Sequence, residues 1–270
     1  MKQLFFSEWE RMWKRKSTWL CLAAIPIILL LFVKYHLNQN LKLDSSNTSY
    51  VNFLNFPSMV LREQIIIFFD IIILLLVIMS VNSEYRTGEL RMVMIRAVSF
   101  LDIIKAKFLT IISAVFVFLT INFTLSTILG FIFFKHESIK FRMYTHPFTI
   151  SESVLYNFKY YFIAFITLVA MIAVIMVICI NCKTATGAAS GSLTFIIASS
   201  IYPSIYSIVS NKMLGIIDFS SLISIQHHGI FNLLAQKPED VGLIIFVIAL
   251  YIVVFSLIAF ILFNDKDCYI

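Results

Sequence analysis

Charged side chains are scarce in this chain. Asp, Glu, Lys and Arg together make up 13% of its 270 residues, against about 25% in a typical soluble domain. Hydrophobic residues make up 60%, and the mean hydropathy is +0.92. This composition excludes an ordinary soluble domain and predicts an integral membrane protein. We expect no nucleic-acid partner for the net charge of +6, because basic residues beside apolar spans have a topological role.

Nucleotide-binding and catalytic motifs are also absent from the sequence. None of the seven glycines precedes a lysine at the spacing of the P-loop motif G-x-x-x-x-G-K-[ST], so the chain cannot bind and hydrolyse ATP in that way. It has no H-E-x-x-H or G-x-S-x-G motif, and its four scattered cysteines predict no disulfide framework. We expect no enzyme activity, cofactor or metal, and we expect the adjacent His227 and His228 to be solvated or interfacial.

Long apolar stretches dominate what is present. A membrane-spanning helix needs roughly 20 mostly apolar residues, and six stretches qualify. They are residues 17–37, 65–81, 108–134, 160–180, 184–209 and 241–263. The sequence therefore predicts an all-α integral membrane protein, in which residues 1–270 form a single transmembrane domain of six spans. The segment between the fifth and sixth spans is too apolar for a free loop, and re-entrant or interfacial helices are predicted there.

The distribution of basic residues predicts the orientation. With the N-terminus inside, the connections on the cytoplasmic side hold 12 of the 21 Lys and Arg residues, in short segments. The other nine are spread over longer outer loops. Because cytoplasmic loops carry an excess of Lys and Arg, we expect both termini to be cytoplasmic and the protein to lie in the plasma membrane.

Residues 1–16 have the pattern of an amphipathic helix. At about 100° per residue, one face collects the apolar side chains Phe5, Phe6, Trp9, Met12 and Trp13. The opposite face collects Ser7, Glu8, Glu10, Arg11, Lys14 and Arg15. Tryptophans on one face and basic residues on the other predict a helix lying in the inner membrane interface. It is either a plain anchor or an elbow helix that moves the first span.

The connection between the second and third predicted spans is the most charged stretch of the chain. Leu90, Val93, Met94 and Ala97 follow helical spacing, and charged residues cluster around Gly88. Gly88 allows the backbone to bend between the second span and this short helix. A short cytoplasmic helix with apolar side chains and a charged collar is suited to docking in a groove on a partner.

This connection resembles the coupling-helix region of type-2 ABC transporter permeases. The positions that match the family pattern are Glu84, Gly88, Leu90, Arg91, Arg96, Val98, Ser99 and Lys107. Ala97 stands where proline is common in the family, and Phe100 stands where a basic residue is common. The resemblance extends to the architecture of an elbow helix, six spans and a longer outer segment before the sixth span.

The resemblance implies an assembly. Two six-span subunits, identical or related, would pair in the bilayer, and each connection would dock on a cytosolic ATP-binding-cassette ATPase that binds ATP and Mg²⁺. The residues it implies for coupling to the ATPase are Glu84, Tyr85, Arg86, Gly88, Glu89, Leu90, Arg91 and Arg96.

Two further candidates lie inside the predicted spans. Asp70, about five residues from the expected outer end of the second span, is either a functional group or a polar contact to a neighbouring helix. Gly187 and Gly191 form a small-xxx-small motif at the start of the fifth span. They either pack against the fourth span or form a dimer seam, and we favour packing within the chain.

The resemblance and the near absence of charge inside the spans together predict an exporter of apolar or amphipathic cargo. Peptide or antimicrobial-peptide export, or self-immunity of the bacterial kind, is the favoured cargo class through the resemblance. A non-transporting scaffold or sensor that docks a signalling protein is the alternative. An intramembrane enzyme is poorly supported, because no nucleophile and base share a span.

Overall fold

The computed structural model describes residues 2–43, 47, 49–87, 100–136, 148–209, 219–235 and 238–265. This part of the chain is all-helical, with 89% helix and no strands. The α-helices are α1 (Lys2–Lys14), α2 (Lys16–Asn40), α3 (Phe56–Gln64), α4 (Asp70–Thr87), α5 (Phe100–Phe133), α6 (Ile150–Asn181), α7 (Ala185–Val209), α8 (Leu222–Ser224), α9 (Ile230–Leu234) and α10 (Pro238–Asp265). Two π-helical turns join neighbouring helices: π1 (Ile65–Phe69) and π2 (Ile225–Gly229).

Five helical runs are long and apolar enough to cross a membrane. They are Lys16–Asn40, Phe56–Asn82, Leu101–Phe133, Ile150–Asn181 and Val241–Phe263. The prediction of an all-helical protein with membrane-spanning helices is confirmed at this level. The second of these runs, Phe56–Asn82, consists of α3, π1 and most of α4.

The helices extend beyond the apolar stretches that predicted them. The second run begins at Phe56, not at residue 65, and the fourth begins at Ile150, not at residue 160. A polar residue ends an apolar run but does not end a helix. The start of α6 is set by a capping box, in which Thr149 Oγ1 accepts from the Glu152 amide and the Glu152 carboxylate accepts from the Thr149 amide.

The predicted fifth span, residues 184–209, coincides with α7. This helix is not one of the five apolar runs of membrane-crossing character among the described residues. Its first half is rich in small and hydroxyl side chains, including Thr186, Gly187, Ser190, Gly191 and Ser192. These residues lower its hydropathy and leave room for close approach of a neighbouring helix.

Helix α6 lies at the centre of the fold. It packs against α4, α5, α7 and α10, and its residues 170–176 are all buried. This stretch of α6 is apolar on every face, which is typical of a helix segment buried on all sides. By contrast, α2 and α10 keep large apolar side chains exposed, as at Leu20, Ile27, Phe246 and Val253, which suits helices facing lipid.

Residues 222–234, comprising α8, π2 and α9, form a short buried segment that we call the internal segment. At about 1.5 Å per residue it is about 20 Å long, too short for a hydrocarbon core of about 30 Å. Leu222, Ile225, Gln226 and Ile230 are fully buried. The segment contacts α3, π1, α6, α7 and α10, so it folds into the bundle and does not loop freely.

The two glycines of the small-xxx-small motif have different surroundings. A Cβ added at Gly191 would lie 3.1 Å from Cγ2 of Ile178 on α6, so α7 approaches α6 closely there. A Cβ at Gly187 would meet Oγ1 of Thr184 at 3.0 Å, a neighbour in its own chain segment. The contact at Gly191 is therefore within the chain.

Replacing Gly191 with leucine should destabilise the bundle. The new side chain must displace Ile178, and overpacking of this kind costs about 1–3 kcal/mol. Gly242→Leu is the matched control, because no atom lies within 4 Å of a Cβ at Gly242. Thermal unfolding of the purified protein in detergent should show a lower midpoint for Gly191→Leu only. Equal midpoints for the two variants would contradict the close α6–α7 approach.

Candidate functional site at the two ends of the connecting segment

A buried ion pair holds the start of α5. The Lys107 side chain is 1% exposed, and its Nζ donates to Oε2 of Glu8 on α1 at 2.9 Å. Oε1 of the same carboxylate lies 3.6 Å from Nη1 of Arg11. Lys107 follows the connecting segment, residues 83–99, so this pair ties the far end of that segment to the N-terminal helix.

Aromatic rings also join α1 to α5. The rings of Phe5, Trp9 and Trp13 contact one another in a row along α1, and the Trp13 ring lies 6.1 Å from the ring of Phe118 on α5. An ammonium group removed from water is stable only with a well-placed partner, and Glu8 is that partner. The sequence pattern placed Glu8 on the polar face of residues 1–16. The structure corrects this placement, because Glu8 is 8% exposed and turns toward α5.

A buried amide holds the other end of the connecting segment. Asn82 on α4 donates from Nδ2 to the carbonyl oxygens of Cys179 at 3.2 Å and Cys182 at 3.0 Å. The last carbonyls of a helix have no partner within it, and α6 ends at Asn181. Asn82 therefore fastens the second run to the corner between α6 and α7.

The corner between α1 and α2 joins the same site. The Arg15 guanidinium donates to the carbonyl oxygen of Met79 on α4, and Oγ of Ser17 donates to the Met79 sulfur at 2.9 Å. Within the corner, Oγ1 of Thr18 donates to the Met12 carbonyl at 2.7 Å. Helices α1, α4 and α5 thus meet at one place, beside the two ends of the connecting segment.

The side chains of the residues predicted for coupling lie outside the described part of the chain. Helix α4 runs to Thr87 and α5 begins at Phe100, but side chains are described only up to Asn82 and again from Leu101. The predictions for Glu84, Tyr85, Arg86, Gly88, Glu89, Leu90, Arg91 and Arg96 therefore remain predictions from the sequence. The structure shows the contacts on either side of these residues, made by Asn82 before them and by Lys107 after them.

Asp70 lies deeper than the sequence suggested. Because the second run is the 27-residue helix Phe56–Asn82, Asp70 is near its middle and not near its outer end. Its Oδ1 accepts from Nε2 of Gln226 at 3.2 Å, and both side chains are fully buried. The contact joins the second run to the internal segment, which is a polar contact to a neighbouring helical element.

A second buried polar network escaped the sequence analysis. Nδ2 of Asn122 on α5 donates to Oε1 of Gln64 at 2.8 Å, and the Tyr161 hydroxyl on α6 donates to Oδ1 of Asn122 at 2.8 Å. Such interhelical hydrogen bonds are worth about 0.6–2 kcal/mol in a membrane. The sequence signal for this network was Asn122, a polar residue inside the apolar stretch 108–134.

The two adjacent histidines pair with each other. Nδ1 of His227 lies 2.8 Å from Nε2 of His228. Burial lowers the pKa of His227 to about 4, with help from His228 and Arg62, so this ring is neutral at pH 7. Among the described residues, no group of three or more His, Cys, Asp or Glu side chains is placed to hold a metal ion.

Removing the Glu8 carboxylate should destabilise the protein strongly. Glu8→Gln leaves the Lys107 ammonium buried without a countercharge, and breaking a buried pair in this way costs about 3 kcal/mol or more. Glu10→Gln is the control on the same helix. Glu10 is exposed, and its 2.6 Å pair with Lys14 lowers the pKa of Glu10. An exposed ion pair nevertheless contributes little to the stability of a protein.

The measurement is the thermal midpoint of the purified variants in detergent, completed by the double variant Glu8→Gln/Lys107→Met. We expect a clear loss for Glu8→Gln, no measurable change for Glu10→Gln, and partial recovery in the double variant because no charge is then left unpaired. Similar midpoints for Glu8→Gln and Glu10→Gln would show that the buried pair does not hold α1 to α5.

Comparison with known proteins gives one family. The model of a family described as protein of unknown function (DUF2705) matches residues 19–269. No curated protein matches the chain. The match runs from the fourth residue of α2 through α10, and the chain therefore belongs to the DUF2705 family.

Proposed function

We propose that this protein is the membrane subunit of an ATP-driven exporter, with a fold and coupling mode like those of type-2 ABC permeases. ATP is hydrolysed by a separate cytosolic ATP-binding-cassette subunit, and the connecting segment docks on that subunit. The observation that supports this best is the anchoring of the segment at both ends. Asn82 ties one end to the corner of α6 and α7, and the Lys107–Glu8 pair ties the other end to α1.

Anchored ends matter because a docking segment can only transmit the motion that its attachments do not absorb. A push on the segment reaches α4 and α6 through Asn82, and α5 and α1 through the ion pair. Packed helices respond as units, since close-packed interiors change between discrete arrangements more readily than they deform. A slack connection would lose this motion in its own backbone.

In the proposed topology, α7 is a sixth span beside the five apolar runs. Its 25 residues give a length of about 37 Å, enough to cross the hydrocarbon core. Six crossings put both termini on one side, and the excess of Lys and Arg there makes that side cytoplasmic. In this topology α1 is the elbow helix at the inner interface of the plasma membrane.

The proposed cargo is hydrophobic or amphipathic, with antimicrobial peptides favoured. A groove of about 250 Å³ between α5 and α6 is lined almost entirely by apolar and aromatic side chains, among them Phe116, Phe123, Phe162 and Phe165. Apolar walls with few polar groups suit a ligand that is itself largely apolar. Two copies of this chain, or this chain and a related one, would complete the pathway.

Docking should depend on the connecting segment. Replacing residues 84–100 with a Gly/Ser linker of equal length should abolish co-purification of a cytosolic Walker-motif ATPase, because the apolar and charged surface that binds it is lost. The control is the same replacement of residues 137–147, which the six-span topology places on the outer side. Retention of the ATPase after the first replacement would refute the docking assignment. Capture of a signalling protein without ATPase motifs would favour a scaffold or sensor.

Coupling should be separable from assembly. We expect Glu84→Ala or Gly88→Pro to leave membrane insertion and ATPase binding intact while reducing ATPase stimulation and export. Stimulation is measured in reconstituted vesicles, and export as protection of cells against a panel of amphipathic antimicrobial peptides. Glu10→Gln serves as the control with parental behaviour. Parental ATPase stimulation and protection in both coupling variants would contradict the assignment.

A further inference from the structure

Two π-helical turns meet inside the bundle. Asp70 directly follows π1, Gln226 is the second residue of π2, and the two turns are in contact. π-helical turns are rare and occur frequently at functional sites. This meeting point is far from the connecting segment, and the proposed exporter function does not use it.

If Asp70 is ionised, its contact with Gln226 leaves two buried oxygens without a hydrogen bond. One hydrogen bond exists, from Nε2 of Gln226 to Oδ1 of Asp70. Oδ2 of Asp70 and Oε1 of Gln226 have no hydrogen-bond partner in the described part of the chain, although both side chains are 0% exposed. A carboxylate here would leave two buried acceptors unsatisfied, and each unsatisfied group costs about 1–3 kcal/mol or more.

The neighbouring ionisable groups are engaged elsewhere. On the helix that precedes π1, Arg62 stacks on the ring of Phe231 at 5.1 Å, and Glu63 lies 3.3 Å from His36. On π2, neutral His227 pairs with His228.

Among the described residues of the other elements packed on the second run, the following ionisable side chains have partners other than Asp70. On α6, Tyr161 bonds Asn122, while Tyr160 lies against Phe231. On α7, Tyr202 bonds Ser220, and on α5, Lys107 pairs with Glu8. No described basic side chain forms an ion pair with Asp70, so a charge on Asp70 would be buried without compensation.

We propose that Asp70 and Gln226 form a proton-binding site inside the membrane. The Asp70 carboxyl binds one proton on Oδ2 and donates it to Oε1 of Gln226, while Nε2 of Gln226 donates to Oδ1. A carboxylic acid and a carboxamide are complementary in this way, each supplying one donor and one acceptor. The ring of two hydrogen bonds satisfies both unpartnered oxygens and needs no cation.

The bound proton and the position of the internal segment are then coupled. With the proton in place, the neutral pair fastens π2 to the second run at two points. When the internal segment separates from the second run and water enters, the carboxylate can be hydrated, and the proton is held less strongly. By linkage, whatever favours separation also favours proton release, and the reverse holds equally.

Infrared spectroscopy of the full chain in a detergent without ester or amide groups tests the proton directly. At neutral pH a protonated carboxyl absorbs in a C=O stretching region that carboxylates leave empty. Glu8 and Asp70 are the two buried acidic side chains among the described residues, and Glu8 is paired with Lys107. We expect a carboxylic acid band that Asp70→Asn abolishes and Asp102→Asn retains. Absence of the band from the parent, or its persistence in Asp70→Asn, overturns the proposal.

Isosteric substitution supplies a second test. The asparagine in Asp70→Asn offers an N–H where the proposed acid has its O–H, so both hydrogen bonds survive. We expect its thermal midpoint to stay within about 2 °C of the parent, and those of Asp70→Ala and Gln226→Ala to fall by more than about 4 °C. Equal losses in Asp70→Asn and Asp70→Ala would indicate an ionised contact. If Asp70→Asn does not fold, the infrared band of the parent still decides the question.

Discussion

Hydrocarbon offers no hydrogen-bond partners to a polypeptide backbone, and this constraint shapes the whole molecule. Each crossing segment must satisfy its own N–H and C=O groups, so each becomes a helix. Apolar side chains then pack as readily against lipid as against another helix, and they do little to specify which helices meet. Specific contacts between the helices are left to the few polar side chains and to close approaches at small residues.

The polar contacts are correspondingly long in range. Lys107 bonds to Glu8 across a sequence separation of 99, Asn82 bonds to Cys182 across 100, and Gln226 bonds to Asp70 across 156. Each joins elements that the chain itself keeps apart. The first two surround the connecting segment, and the third holds the internal segment in the bundle. Breaking any of these contacts would leave a buried polar group without a partner, so each resists separation of the two elements that it joins.

The two buried polar sites have different chemistry. Beside the connecting segment, the buried Lys107–Glu8 ion pair resists separation, because parting the two charges leaves each uncompensated. Between π1 and π2, the proposed acid–amide ring is neutral, and its separation strands no charge. In the proposed exporter, this difference would give a stiff attachment beside the docking segment and a releasable one inside the bundle.

The sequence by itself determined the helical class, the approximate positions of the apolar runs and the amphipathic character of α1, because these follow from local periodicity and hydropathy. It predicted two helix starts too late, at residues 65 and 160, whereas the helices begin at Phe56 and Ile150. The reason is that a polar residue ends an apolar pattern without ending the helix. Only the tertiary structure decided that Glu8 faces Lys107, that Asp70 lies at mid-helix against Gln226, and that Gly191 meets Ile178. These pairings depend on which helices pack together, and no periodicity within a single helix contains that information.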